Sequence, residues 1–370
     1  MTHYIWQHRE WPEFRWNDAL LLKPVSECRF QQGKILAKMS SLGFDCEQQA
    51  QRDILIEEAI TTTAIEGEKL SRESVRSSIA RKLGLPSSGL PIDRNADGLI
   101  DLLLDATQNH CKPLTSERLF GWHAALFPTG YSGLHKIITG NWRGPAPMQV
   151  VSGKAGHEKV HYEAMPYDRV EAEMDCFFRW WQESLGEIDG IIRAAVAHFW
   201  FVTIHPFEDG NGRIARALTD MALAQDDKQS MRYYSLSSQI NAERDVYYEV
   251  LERSQKGTMD ITTWLQWFSG CFGRSITSSE KTMALVLDKA SFWHRHSQTE
   301  LTDRQRKVIN KLLDSGRKGF VGGLTNRKYV SMVKVSRATA TRELQHLQDL
   351  GIIKANPAKG RSVSYDLVWD

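Results

Sequence analysis

The sequence lacks any stretch of about 18 apolar residues, the length a membrane helix needs. Its best apolar segment, Ala194 to Ile204, is broken by His198 and Thr203. The start of the chain (Met1 to Glu10) has no basic region followed by an apolar one, so no secretory signal is expected. Cysteine is scarce. Cys28, Cys46, Cys111, Cys176 and Cys271 are odd in number, scattered and without a C-x-x-C pair. That pattern argues against a disulfide or zinc framework and for free thiols in a reducing compartment. Internal repeats and low-complexity stretches are also missing. The expectation is a cytoplasmic protein with no membrane partner.

The remaining composition is that of a folded chain. The 370 residues suffice for two or three domains, and 41% apolar with 25% charged residues is a globular balance. Net charge is only +2, yet it is unevenly placed. From Thr302 to Asp370 there are 14 Lys and Arg against 6 Asp and Glu, leaving 33 basic and 39 acidic residues elsewhere. A basic C-terminal segment on an acidic body suggests a separate module, either with a polyanionic partner or with a solvated basic surface.

Apolar residues at three- and four-residue spacing predict helices over 53–65, 96–107, 116–126, 168–184, 188–203, 214–224, 242–255 and 260–272. One segment differs: Val150 and Val151 lead through a Gly-containing turn to Val160, which predicts a hairpin over 148–162. Trp6, Trp11, Phe14 and Trp16 form an N-terminal aromatic cluster expected to serve as a packing anchor.

The last ~70 residues predict helices over 303–315 and 326–332, with a third capped by Ser336 and carrying Ala340, Leu344 and Leu347 on its apolar face. Gly351 ends that helix, and Ile352-Ile353 with residues 362–367 read as a hairpin around residues 357–360. Three helices and a hairpin make a winged helix-turn-helix pattern. Arg337, Thr341, Arg342 and Gln345 on the polar face of the third helix could reach phosphates and base edges. Such modules also serve as protein-protein or dimerisation domains.

One segment carries chemistry: His205-Pro-Phe-Glu-Asp-Gly-Asn-Gly-Arg213-Ile-Ala-Arg216. Gly210 and Gly212 flank Asn211, so the backbone can form a nest of N–H groups at a helix N-terminus, where the dipole adds positive potential. Arg213 and Arg216 lie three apart and can face one anion, which together with the nest describes a di- or triphosphate cradle. Asp209 offers one carboxylate, which suits Mg²⁺ completed by waters and phosphate oxygens. His205 titrates near neutrality and can take a proton from an attacking hydroxyl. His198, seven residues earlier, reads as a structural histidine. A lone G-N-G is usually a turn. Eight such residues at fixed spacing arise by chance on the order of once in 10¹⁰ windows.

The segment resembles the signature of Fic-domain proteins, H-P-F-x-[D/E]-G-N-G-R-x-x-R, without departure. Asn141-Trp-Arg143 followed by Val150, Val151, Ser152 and Gly153 resembles the family's approach to its flap, the hairpin that holds a target peptide. Residues 233–240 and 242–255, with Tyr247, Tyr248 and Gln255, resemble the part that closes over adenine. The fold implied is mainly α, a Fic helical core with a short β-hairpin flap, plus the C-terminal winged helix. Boundaries are expected at 1–50, 51–285 and 300–370. The activity implied is AMP transfer from ATP to a Ser, Thr or Tyr hydroxyl of a target protein. His205 would be the base, Asp209 would hold Mg²⁺, and the N–H groups of Gly210 to Gly212 with Asn211 would stabilise the α-phosphate. Arg213 would take the β-phosphate and Arg216 the γ-phosphate, and Phe207 would pack beneath the loop.

A second string, Thr62-Thr-Ala-Ile-Glu66-Gly67, resembles the family's inhibitory [S/T]-x-x-x-E-[G/N] in members that carry it N-terminal to the core. A Glu66 carboxylate on Arg216 would remove the cation that should receive the γ-phosphate. Other readings share these residues. They are removal of AMP with Glu66 orienting water, transfer of another nucleotide or phosphocholine, and a DNA-binding regulator whose core senses nucleotide. Expected partners are a target protein, the chain itself as a modification target, and, as possible partners, DNA and a second copy of the chain.

Overall fold

The computed structural model describes residues 3–40, 44–84, 92–152, 159–230, 232–317, 319–357 and 363–369. The chain divides into two compact units, Met1–Met39 with Gln51–Ser279, and Ser40–Ala50 with Glu280–Asp370. The sequence suggested divisions near residue 50 and between 285 and 300. The observed division falls at Ser279/Glu280, and Met1–Met39 belongs to the unit that contains the motif.

The elements run α1 (Asp18–Ser40), α2 (Phe44–Ile65), α3 (Arg72–Lys82), α4 (Arg94–Gln108), α5 (Ser116–Leu126), β1 (Tyr131–Ser132), β2 (His135–Lys136), β3 (Gln149–Ser152) and β4 (Lys159–Glu163). Then follow α6 (Val170–Glu183), α7 (Gly190–Ile204), α8 (Asn211–Asp227), α9 (Leu236–Ala242), α10 (Arg244–Gln255) and α11 (Thr262–Arg295). The fold is mainly α, as the sequence implied.

The first unit is built around α7. Every residue of this helix is buried. A helix apolar on all sides has to be enclosed by others. Asp189 starts it, its carboxylate accepting from the N–H groups of Ile191 at 2.9 Å and Ile192 at 3.4 Å. Helix α8 packs along α7 and buries Ile214, Ala217, Leu218, Met221 and Ala222. Gly98 on α4 lies against α5 so closely that a Cβ there would stand 1.8 Å from the Ala125 carbonyl oxygen. The aromatic anchor forms as expected for three of its members: Phe14 meets Phe199 and Trp200 edge-on, Trp11 meets Trp200, and Trp6 packs against Tyr4, Tyr162 and Ala164 while donating to the Glu163 carbonyl at 2.9 Å. Trp16 instead donates to Asp18 at the surface.

The two hairpins are small antiparallel pairs. In the second, Val150 pairs with Tyr162 and Val151 with Val160, with a bulge between Val150 and Val151. The buried Tyr162 hydroxyl donates to the Thr203 carbonyl at 2.6 Å, which ties the hairpin base to the C-terminal end of α7.

The second unit contains α12 (Asp303–Asp314), β5 (Leu324–Thr325), α13 (Asn326–Val333), α14 (Arg337–Asp349), β6 (Ile353–Ala355) and β7 (Ser364–Leu367). Its strands form an antiparallel sheet in the order β5-β7-β6, so a third strand joins the expected hairpin. Part of the turn expected at 357–360 lies outside the described residues. Val308, Leu312, Tyr329, Leu344, Leu347 and Ile353 share one core. Thr302, Thr325 and Ser336 cap the three helices with their hydroxyls. No described helix is long and apolar enough to cross a membrane.

Candidate active site

The motif is the connection between the two central helices. His205 ends α7 in the left-handed region at φ 54°, a conformation that non-glycine residues adopt only where surroundings enforce it. Here the enforcement is visible. The His205 N–H donates to the Phe201 carbonyl at 3.0 Å, and its carbonyl accepts from Nε of the buried Arg143 at 2.9 Å. Arg143 also donates to the Met165 carbonyl at 2.5 Å, and its N–H to the Pro206 carbonyl at 2.8 Å. The His205 ring donates from Nδ1 to the Val202 carbonyl at 3.2 Å. That bond fixes the tautomer and leaves Nε2 as a proton acceptor. Burial pushes the imidazole down to about 4, so it is neutral at pH 7.

The loop that follows is held from inside. Asn211 uses its side chain on the loop itself, donating to the Phe207 carbonyl at 2.8 Å and accepting from the Phe207 N–H at 3.0 Å. Its side chain is therefore committed to loop shape, and its contribution to an anion would come from the backbone. Phe207 is fully buried and stacks on His123, with ring centroids 4.2 Å apart. His123 accepts from the Gly140 N–H at Nδ1, which leaves Nε2–H to donate to the Asp209 carbonyl, both at 3.2 Å. Gly210 has φ 80°, and a Cβ there would sit 2.9 Å from the Phe127 ring, so glycine is required twice over. Helix α8 then begins at Asn211. Its first N–H groups have no acceptors within the helix and, with the dipole, face an anion.

Two guanidiniums from α8 complete the cradle. Arg216 is 2% exposed and donates from Nε to Thr62 Oγ1 at 2.7 Å, and from Nη2 to the Thr62 carbonyl at 2.9 Å and to Glu66 Oε1 at 2.7 Å. Arg213 is 6% exposed, donates from Nη1 to Glu68 Oε2 at 3.3 Å, and lies over the Phe127 ring. Among the described residues, buried Arg216 Nη1 and Arg213 Nε and Nη2 have no hydrogen-bond partner, the Arg213 Nη2 lying 3.8 Å from Asp209 Oδ1. Buried donors of this kind are satisfied in nearly all proteins. Three of them at one helix start mark a place for an anion with several oxygens. Asp209 accepts at Oδ1 from the Gly210 N–H at 2.5 Å and at Oδ2 from the Ser132 hydroxyl, so hairpin β1–β2 orients this carboxylate.

A cavity of about 510 Å³ adjoins the loop. It brings together Glu66, Val151, His205, Gly212, Tyr247, Tyr248 and Gln255. Tyr248 is half-buried with its hydroxyl 3.4 Å from the Ile65 carbonyl, and Gln255 donates to Thr203 Oγ1 at 3.3 Å. Tyr247 is spent on structure. Its hydroxyl meets His198 Nε2 at 3.0 Å, His198 Nδ1 meets Thr219 Oγ1 at 3.1 Å, and burial pushes His198 down to about 3. Ser152 is the last residue of β3, and Gly153 lies outside the described residues.

Helix α2 carries Thr62 to Arg216 and ends at Ile65, so that Glu66 follows in the turn that Gly67 makes at φ 83°. One turn earlier, the buried Glu58 accepts from the Ser235 hydroxyl at 2.7 Å and the Ser237 N–H at 3.2 Å, which pins this face of α2 to the start of α9. Sequence reasoning missed Arg143 as a support, along with His123, Ser132, Glu58 and Glu68. Only Arg143 carried a signal, as part of Asn141-Trp-Arg143.

A family model described as the Fic/DOC family matches residues 113–223, and one described as a domain of unknown function (DUF4172) matches residues 4–85. Relatives named protein adenylyltransferase fic-1 in Caenorhabditis elegans and protein adenylyltransferase Fic in Nematostella vectensis are each 27% identical, over 44% and 58% of this chain. The matched regions span 30% and 46% of those relatives, less than half of either. The crystal structure of a Fic family protein from Desulfovibrio desulfuricans G20 superposes with a TM-score of 0.57 at 20% identity, covering 95% of this chain and 96% of that one. Residues 113–223 of this chain thus match the Fic/DOC family, and its fold is similar to that of a Fic family protein.

Proposed function

We propose that this protein transfers AMP from ATP to a hydroxyl group of a protein and releases pyrophosphate, and that Glu66 holds the activity down. The hydroxyl oxygen bonds to the α-phosphorus, the bond from that phosphorus to the β-phosphate bridging oxygen breaks, and the hydroxyl proton passes to His205 Nε2. The observation that carries the reading is the neutral His205, with Nδ1–H committed to Val202, beside a helix start with two buried, incompletely partnered guanidiniums. The names of the curated relatives support the same chemistry. Arg213 and Arg216 would bind the β- and γ-phosphates, and the start of α8 the α-phosphate. The wall formed by Tyr248 and Gln255 would take the adenine. Asp209 would hold Mg²⁺, since a single oriented carboxylate suits an ion that completes its shell with water and phosphate oxygens. When bound, that ion neutralises charge on the phosphates.

Incubation of purified protein with ATP labelled on the α-phosphate tests the proposal. Label on protein supports it. Loss of AMP from a previously modified protein would instead favour removal, with Glu66, which lines the same cavity as His205, orienting water. For the second unit we propose DNA binding through the polar face of α14, supported by the basic balance of residues 302–370.

A further inference from the structure

Glu66 is not the only carboxylate on the cradle. Two residues on, beyond the glycine that ends α2, Glu68 reaches the other arginine, with Oε2 3.3 Å from Arg213 Nη1. The chain places the pair by simple geometry. Arg213 and Arg216 are one turn apart on α8, and Gly67 lets the backbone turn so that Glu66 and Glu68 reach successive guanidiniums. The two contacts differ in character. Glu66 meets an arginine that also holds Thr62, and its side chain is 26% exposed. Glu68 is 49% exposed and is the only hydrogen-bond acceptor described for the Arg213 side chain, whose Nη2 otherwise lies 3.8 Å from Asp209 Oδ1 and whose Nε is buried without a hydrogen-bond partner among the described residues.

We infer that Glu68 is a second inhibitory carboxylate, which occupies the β-phosphate subsite while Glu66 occupies the γ-phosphate subsite. The inference rests on the reading of the site as an ATP cradle. A guanidinium that already bonds a carboxylate gains less from a phosphate, because the incoming oxygen must displace the carboxylate or lie beside its charge. An ion pair with one partner half in water is weak, so this hold is the lighter of the two. It is also separable. A nucleoside diphosphate has a β-phosphate and no γ-phosphate, so its affinity reports on Glu68 at Arg213.

The experiment is calorimetric titration of the full chain with ADP and Mg²⁺, comparing wild type, E68Q, R213Q and the double variant. Glu68 is exposed on a turn, so its substitution leaves the fold intact, as circular dichroism will confirm. E68Q should bind ADP about two- to fivefold more tightly, a gain within the range of an exposed ion pair. The gain should vanish when Arg213 is also replaced. Unchanged or weaker ADP binding in E68Q, while E66G increases AMP transfer, would overturn the role of Glu68 and leave the nucleotide reading standing. ADP binding to none of the variants, together with no transfer in E66G, would remove the nucleotide reading itself.

Discussion

Arg143 and His205 are 62 residues apart in sequence, yet the Arg143 guanidinium donates to the His205 carbonyl at 2.9 Å and closes the left-handed end of α7. Arg143 reaches no reacting atom by this bond. It sets the backbone from which the imidazole projects.

Replacing Arg143 by Met should therefore act on both fold and rate. Two buried carbonyls, those of His205 and Met165, lose their donor, and each costs about 1–3 kcal/mol. A shift of the imidazole by about 1 Å can cost ~10²-fold in rate. The thermal midpoint should fall, and AMP transfer should lose kcat with little change in the KM for ATP. An unaltered kcat in folded protein would reduce Arg143 to a packing role.

His205→Ala should abolish transfer while ATP still binds, because the imidazole acts on the hydroxyl and the arginines hold the phosphates. Loss of a general base costs ~10²–10⁴ in rate. The wild-type pH profile carries the same information. With the imidazole pushed down to about 4, its neutral form persists across pH 5–8, so no acidic limb should appear near 6.5. Rates measured from pH 5 to 8 check this.

His198 should leave a mark on stability. Its folded value, about 3, lies below the ordinary 6.5, so unfolding takes up a proton between those values. The stability contributed is full above pH 6.5 and is lost as pH falls toward 3, with a slope of about 1.4 kcal/mol per pH unit. His198→Gln should flatten the measured slope of unfolding free energy by about that amount. The same slope in both proteins would mean that His198 is already charged in the folded state.

The C-terminal proposal rests on charge and is tested by salt. Arg337→Ala with Arg342→Ala should weaken DNA binding and flatten its salt dependence by roughly one slope unit for each phosphate that is no longer neutralised. Fluorescence anisotropy with a duplex at several salt concentrations measures it. A wild-type chain without salt-sensitive affinity would make this unit a protein-interaction module.

Much of the fold was legible where burial is one-sided or complete. The apolar run of α7 and the periodicity of α5 and α8 announced themselves. Helix α3 did not, because Val75 and Ile79 are its only large apolar residues among serines and charges. Helix α1 carries Leu22 and Phe30 in solvent, which blurs its pattern. Helix α11 continues past Phe272 through Thr277-Ser-Ser-Glu-Lys281, where nothing apolar repeats. The motif from His205 to Arg216 was legible because its residues are contiguous. Its supports were not. Ser132 on Asp209, Arg143 on His205 and Glu68 on Arg213 join residues 77, 62 and 145 positions apart, and no local spacing encodes such pairs.

Glu66→Gly should raise AMP transfer, including self-modification, above wild type. The Glu66 carboxylate bonds Arg216 at 2.7 Å and lies where a Cβ on Gly212 would be 2.2 Å from it, so it fills the space beside the start of α8. ATP entering with Glu66 in place must leave its γ-phosphate short of the guanidinium, which tilts the α-phosphate away from in-line attack. Misplacement by about 1 Å costs ~10²-fold, so gains of that order are expected on release. The fold should tolerate the change, since Glu66 follows the last residue of α2 and Gly67 already turns the chain. Thr62 still holds Arg216 in the variant, and the freed Nη2 can meet phosphate. The double variant Glu66→Gly with Arg216→Ala should lose the gain, because the released cation is what the γ-phosphate needs. Transfer of labelled AMP, measured in protein shown to be folded, decides the matter. A rate at or below wild type for the single variant would reduce Glu66 to a helix-end carboxylate and shift the reading toward AMP removal, where the carboxylate is needed for turnover.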